Sequence, residues 1–245
     1  MLRVGTSGWQ YRDWRDAFYE GAPTSAWLGA YSAVFDTVEV NSSFYRLPER
    51  DTVAQWADGT PDSFCFVLKV SRYLTHVRRL REPAEPIDRF MDRAEPLGPK
   101  LGAALLQLPP NFRIDVDRLA GVLDRWPDHV PLAVELRHPS WFVDEVHALL
   151  SDHGAPLVRT DREGRPQEPP WVTAEWCYVR LHEGTARPRP CYGSRALRSW
   201  SDRIVDGWGP DADGFVFFNN DPNACAPRDA QRFRRLALTG GLVRR

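Results

Sequence analysis

Cysteine is scarce in this chain: four in 245 residues, at Cys65, Cys177, Cys191 and Cys225. No two are spaced as CxxC, and no His–Cys cluster has finger spacing, which argues against the common structural zinc modules. All four are expected to be reduced thiols in a cytosolic protein, with Cys65 in the core. No apolar run approaches the ~18 residues needed to span a membrane. The opening MLRVGTSGWQYRDW lacks the basic-then-apolar order of a secretion signal, so a cytoplasmic location is expected. An excess of one charge is lacking too: 32 basic side chains face 33 acidic ones, for a formal net charge of -1. Such a chain has no broad basic field for coating nucleic acid, although a local cationic cleft is compatible with it. No GxGxxG follows the first strand signal, which weakens a dinucleotide-binding sheet. No glycine-rich linker divides the chain and no internal repeat runs through it, so residues 1–245 read as one domain.

What is present is an ordinary globular profile, 42% hydrophobic and 27% charged. Eight runs read as strands: residues 2–7, 37–41, 63–70, 103–108, 131–137, 156–161, 176–182 and 214–221. Helical periodicity falls between most of them, at 27–35, 50–57, 88–97, 115–126, 143–152, 195–205 and 227–238. Residues 162–171 are rich in proline and charge and read as a loop. This order suits parallel pairing through crossovers, and the length suits a barrel of about 250 residues. The expected fold is α/β, a single-domain TIM-type (β/α)8 barrel with one or two connecting helices short or missing. A doubly wound open sheet is the alternative.

The strands share a further feature. Polar residues gather near their C-terminal ends: Glu39 and Asn41, Lys69, Gln107, Glu135 and Arg137, Arg159 and Asp161, Arg180 and His182, Asn219 and Asp221. A parallel barrel collects such ends into one ring, the face on which barrel enzymes place their chemistry. Internal charge pairing for packing alone is the competing explanation, since unpaired buried charges are costly.

Within the ring, Glu39 and Glu135 are candidates for an acid–base pair. Lys69 is expected to act electrostatically, with imine formation as the less favoured role. His76 and His182 are candidate general bases. Arg137, Arg159 and Arg180 read as an anion clamp, or as ion-pair partners of Glu39, Glu135 and Asp161. Asn41, Gln107, Asp161, Asn219 and Asp221 would contact substrate, with His138 at the rim. The loops carry Trp9, Tyr11, Phe44, Tyr45, Phe112, Trp141 and Phe142, flat surfaces suited to sugar rings or bases, or else to sealing the barrel top. No HxH or HExxH supports a metal, so no cofactor is predicted; a divalent cation held by Glu39, Glu135, Asp161 and His182 is the open alternative. The expected partner is a small polar or anionic ligand. Nucleic acid is the alternative, and no membrane is involved.

The stretches GTSGWQYRDWRDAFY, FDTVEVNSSFYRLP, FCFVLKVSRYLTH, LGPKLGAALLQLPPNF, LAVELRHPSW, YVRLH and FVFFNNDPNACAP run in order over nearly the whole chain. Together they resemble the YecE-like family, defined as domain of unknown function 72. The resemblance implies a TIM-type barrel and marks Glu39, Asn41, Tyr45, Lys69, Thr75, His76, Gln107, Glu135, Arg137, His138, Trp141, Arg180, His182, Asn219, Asn220 and Asp221 as motif positions, without a role for any of them. One departure is local: where the family reads R-x-H-G, His182 is followed here by Glu183 and then Gly184. The reading as a whole is an enzyme, a hydrolase or isomerase using acid–base chemistry. A nucleic-acid phosphodiesterase or binding protein and a non-catalytic metabolite binder are the alternatives.

Overall fold

A computed structural model of the protein describes residues 1–239. Its spine is a curled sheet of nine strands: β1 (Leu2–Ser7), β2 (Thr37–Val40), β3 (Cys65–Lys69), β4 (Leu101–Gln107), β5 (Leu132–Glu135), β6 (Arg159–Arg162), β7 (Arg165–Pro166), β8 (Trp176–Leu181) and β9 (Asp213–Phe218). They are ordered β5-β4-β3-β2-β1-β9-β8-β6-β7. Every pairing is parallel except the short antiparallel β6–β7 hairpin. β1 to β5 are neighbours in chain order, and β9 returns to β1 and carries β8 and β6 beyond it, so the sheet coils on itself. Its two sides approach at one parallel bridge, Val134 to Leu157. There the Val134 N–H donates to the Pro156 carbonyl at 3.0 Å and the Val158 N–H to the Val134 carbonyl at 2.9 Å.

Among the described residues eight α-helices lie between or after the strands: α1 (Trp27–Ser32), α2 (Ser42–Tyr45), α3 (Arg50–Asp58), α4 (Ala84–Ala94), α5 (Val116–Arg125), α6 (Asp144–Asp152), α7 (Ser194–Trp208) and α8 (Cys225–Thr239). Their local causes are ordinary. In α5 the Asp115 carboxylate caps the Arg118 N–H at 3.3 Å, and Leu119, Val122 and Leu123 are buried at helical spacing. The helix expected at 88–97 instead runs Ala84–Ala94, because Pro86 is tolerated in a first turn. Between β6 and β8 no α-helix forms. The proline-rich segment folds into β7 and an irregular return.

The two faces of the sheet bury different layers. Val38, Val40, Phe66, Leu68, Leu106, Val134, Val179, Val216 and Phe218 join the large core beneath the helices. Val67, Ala103, Leu105, Ala133, Val158, Tyr178, Phe215 and Phe217 form a second, smaller core inside the curl. Period-2 alternation therefore aims the next inward residues at the C-terminal mouth. Register fixes them: Ser7 is level with Glu39, Gln107 with Glu135, and Thr160 with Arg180. Gly5 permits this at β1, where a Cβ would meet the Thr37 carbonyl oxygen at 2.3 Å.

Two expectations are corrected here. The fifth strand stops at Glu135, and residues Pro139–Trp141 form a short 3-10 turn, since Pro139 cannot donate to a ladder. Cys191 and Cys225 are a disulfide pair with Cα atoms 5.0 Å apart, not free thiols. They lie 34 residues apart in sequence and meet because the loop after β8 packs on the start of α8. Cys65 and Cys177 are free and buried, as expected for Cys65.

Candidate functional site

The inward end of β8 organises the mouth. Arg180 is fully buried and reaches the carboxylates of two other strands. Its Nε and Nη2 donate to Glu39 at 2.9 and 2.8 Å, and its Nη1 donates to Glu135 Oε2 at 2.7 Å. The Tyr178 hydroxyl donates to Glu39 Oε2 at 2.6 Å. Glu135 Oε1 accepts from Gln107 Nε2 and from Arg137 Nε, each at 2.7 Å. Burial alone would push both carboxyls up. Arg180 more than offsets it, helped by Tyr178 at Glu39 and by Arg137 at Glu135, and both are held below the usual carboxylate range. Ion pairing thus favours the ionised form of both Glu39 and Glu135, and the shared Arg180 works against either one holding a proton as an acid.

Around this triad sit groups that titrate nearer neutrality. Lys69 is buried, and its ammonium lies 4.3 Å from the centroid of the Phe44 ring. Among the described residues it forms no ion pair. Burial and the neighbouring Arg180 bring it down to about 8, against the opposing pull of Glu135 and Glu39. His182 Nδ1 accepts from Asn219 Nδ2 at 2.9 Å, which leaves the ring proton on Nε2. Burial and Arg180 push this imidazole down to about 4. His76 pairs its Nδ1 with the Thr75 hydroxyl at 2.8 Å, and burial with Lys69 nearby likewise brings it to about 4. Both histidines are neutral near pH 7.

Beside the triad a cavity of about 450 Å³ opens at the β5–β6 seam, lined by Glu135, Arg137, Thr160, Glu168 and His182 among others. Glu168 was not singled out from the sequence. It comes from the return between β6 and β8 and accepts from the Thr160 N–H at 2.7 Å and from the Thr160 hydroxyl. It thereby supplies β6 with the partner that β5, ending early, does not. Burial raises it to about 7. Tyr178 was missed as well; in the sequence it reads as one more aromatic inside a strand.

The other expected site residues divide between the mouth and the packing around it. Arg159 and Asp161 take the opposite face of β6 from Thr160, so Arg159 does not join Arg137 and Arg180 in an anion clamp, while Asp161 still borders the cavity. Asp161 instead accepts from the His182 N–H at 2.7 Å and the Tyr192 hydroxyl at 2.6 Å, holding the loop after β8. Asn220 is turned away, donating to Asp229 at 3.0 Å. Trp9 is buried against Trp56, and Trp141 is fully buried with its indole N–H on the Phe112 carbonyl at 2.7 Å, so both are packing rather than rim surfaces. His138 caps the 3-10 turn by accepting from Ser140 N–H at 3.1 Å. Tyr45 stands exposed. Asn41 and Asp221 lie at the mouth near Ser7 and Tyr11. The extra residue Glu183 is accommodated with Gly184 against the Cys191 carbonyl, where a Cβ would lie at 2.2 Å. The described residues contain no group of three or more His, Cys, Asp or Glu arranged to hold a metal, and no helix among them is long and apolar enough to cross a membrane.

Comparison with known proteins gives a consistent family. The family described as protein of unknown function DUF72 matches residues 3–242, and the chain belongs to it. The UPF0759 protein YecE of Escherichia coli K12 is 32% identical over 143 residues, 58% of this chain and 50% of that protein. UPF0759 protein YunF of Bacillus subtilis is 30% identical over 152 residues, 58% of this chain and 52% of that protein. The aligned part thus spans about half the length of these relatives. Among solved structures, a DUF72 family protein from Thermotoga maritima MSB8 superposes with a TM-score of 0.84 at 29% identity, covering 96% of this chain and 98% of that one. SacUVDE superposes at a TM-score of 0.60 and 9% identity, covering 96% and 99%, a likeness of fold alone.

Proposed function

We propose that this DUF72 protein is an enzyme whose site is the C-terminal mouth of the curled sheet, taken as a (β/α)8-type barrel closed at the Val134–Leu157 seam. Its substrate is a small anion, and its reaction a hydrolysis or isomerisation driven by proton transfer. The observation that carries the reading is a charge imbalance. Arg180, Arg137 and Lys69 face only two committed carboxylates, Glu39 and Glu135. The neutral histidines add nothing; of the other acids near the mouth, Asp161 is taken up by the His182 N–H and the Tyr192 hydroxyl, Glu183 lies at the cavity wall, and burial raises Glu168 and Asp221 to about 7. A buried cationic surplus is costly unless an anion shares it.

In this reading Glu39 and Glu135 do not transfer protons. They hold Arg180 as a rigid floor. Arg137, half exposed beside the cavity, takes the anion. Lys69, with a fraction of free amine at neutral pH, moves a proton, and the Nε2–H of His182 donates a hydrogen bond to developing negative charge, which a neutral imidazole can do. The test has two parts. Binding of inorganic phosphate is measured by calorimetry in the wild type, Arg137→Ala and Lys69→Met. Turnover is then screened over phosphoesters, sugar phosphates and glycosides. Affinity should drop at least tenfold in each variant. Turnover that survives both Lys69→Met and His182→Ala would discard the assigned roles.

A second reading has one observation in its favour. Tyr45, ending α2, and Tyr73, opening the helical turn after β3, are exposed at the mouth and flanked by the exposed Arg46 and Arg72, a surface on which single-stranded nucleic acid could stack. Oligonucleotide binding that weakens steeply with salt and with Tyr45→Ala would support it; undetectable binding at low salt would end it.

A further inference from the structure

Eight buried side-chain nitrogen or oxygen atoms lack a hydrogen-bond partner among the described residues. Three of them gather at one corner of the mouth: Ser7 Oγ, Asn41 Oδ1 and Asp221 Oδ1. Ser7 ends β1 and is level with Glu39, so its side chain shares the inward face. Asn41 follows β2, two residues beyond Glu39, and its Nδ2 reaches the Ser7 carbonyl at 3.4 Å. The Tyr11 hydroxyl donates to the same carbonyl at 2.5 Å, and the Asp221 carboxyl lies beside that hydroxyl. Ser7 is fully buried, and nothing in its own shell uses its hydroxyl. Buried polar atoms are satisfied in the great majority of native structures, so three orphans in one place call for an occupant.

The chemistry of the orphans narrows that occupant. Asn41 and Asp221 present acceptors, while the Ser7 hydroxyl can give or take a proton. Asp221 feels both Glu39 and Arg180, and among the described residues no group of three or more His, Cys, Asp or Glu gathers there to hold a metal ion. Neighbouring hydroxyl groups, each donating once and accepting once, fit all three. We propose that Ser7, Asn41 and Asp221 form a hydroxyl-recognition subsite, so that the ligand of the mouth is a polyhydroxylated anion. Its charged group lies toward Arg137 and its hydroxyls toward Ser7. This names the substrate class of the site proposed above and rests on that anion-binding reading.

The experiment compares matched pairs on the full chain by calorimetry: hexonates against hexanoate, and hexose 6-phosphates against hexyl phosphate, each sugar in gluco, manno and galacto forms. At least one hydroxylated member should bind ten times more tightly than its plain partner. Ser7→Ala and Asn41→Leu should each cut that preference threefold or more while leaving hexyl phosphate affinity unchanged. Thermal melts confirm that each variant is folded; Ser7→Ala is the safer one, since Tyr11 bonds the backbone and not the side chain of Ser7. Equal binding of plain and hydroxylated members overturns the subsite and leaves the anion reading intact, the orphans then holding only water. A preference that both variants retain also overturns it. If no anion binds, the anion reading itself fails and the subsite with it.

Discussion

Replacing Arg180 by methionine tests the centre of the mouth. Methionine keeps roughly the volume and removes the charge. Two fully buried carboxylates, Glu39 and Glu135, would lose the cation that all three of its nitrogens bring to them. Breaking a buried pair from one side costs about 3–5 kcal/mol, because the stranded charge is left uncompensated. For a domain of this size about 2–4 °C of melting temperature goes with each kcal/mol, so the midpoint at pH 7 should fall by roughly 6–20 °C. The pH dependence is more diagnostic. In the wild type both carboxyls are depressed, so their stabilisation is present above the unfolded carboxylate range and is lost as pH falls through their folded values. In Arg180→Met burial acts without its counterweight and raises them. The variant is then relatively better off in acid, and its deficit grows as pH rises. Melting both proteins by circular dichroism from pH 4 to 8 should show the gap widening with pH. A gap under 1 kcal/mol at pH 7, or one that does not change with pH, would refute the triad as described.

Other outcomes follow from the same geometry. Lys69 and Lys100 are the only lysines in the sequence, and Lys100 is bonded to the Thr60 carbonyl at 2.8 Å, so peptide mapping after limited acetylation separates them cleanly. Lys69 should titrate in reactivity with a midpoint near 8, and a midpoint above 10 would remove it as a proton carrier. Imidazole proton shifts should show His76 and His182 neutral until pH approaches about 4. As both are lowered from the ordinary histidine value, their contribution to stability is complete above about 6.5 and is lost on acidification toward 4; a resonance titrating near 6.5 for either would contradict its burial. Thiol titration of the denatured, unreduced chain should find two cysteines, Cys65 and Cys177, and four after reduction. Replacing Cys225 by serine should cost about 2–4 kcal/mol by chemical denaturation, since the bridge closes a loop of 34 residues.

How much of this was legible in the chain differs from residue to residue. Strand 2–7 could be read to its end, since LRVGTS alternates and Gly8 follows. Apolar alternation continues through Leu136 and so predicts a strand to 137, whereas β5 stops at Glu135. Arg159 and Asp161 looked equivalent to Arg180 and His182. A one-residue difference in parity sends them to the other face of the sheet, and only the register of Thr160 with Arg180 reveals it. Trp9 and Trp141 carried the same aromatic signal whether packed or presented, and burial decided for packing. Ser7 gave no signal at all. A serine ending a strand is unremarkable until its neighbours are known to leave its hydroxyl without a partner.

Local pattern therefore determined which elements form and which strand ends are polar, because alternation and helical period act over a few residues. Tertiary structure alone decided what those polar ends do. Glu39 lies 141 residues from Arg180, and Glu135 lies 45 from it. Whether such carboxyls serve as acids, bases or fixed anions depends on which charge the coiled sheet brings within 3 Å in a buried interior, where one guanidinium can outweigh the cost of desolvation. The sequence marked Glu135 and Arg137 as partners in a mouth. The fold made Glu135 one arm of a brace around Arg180.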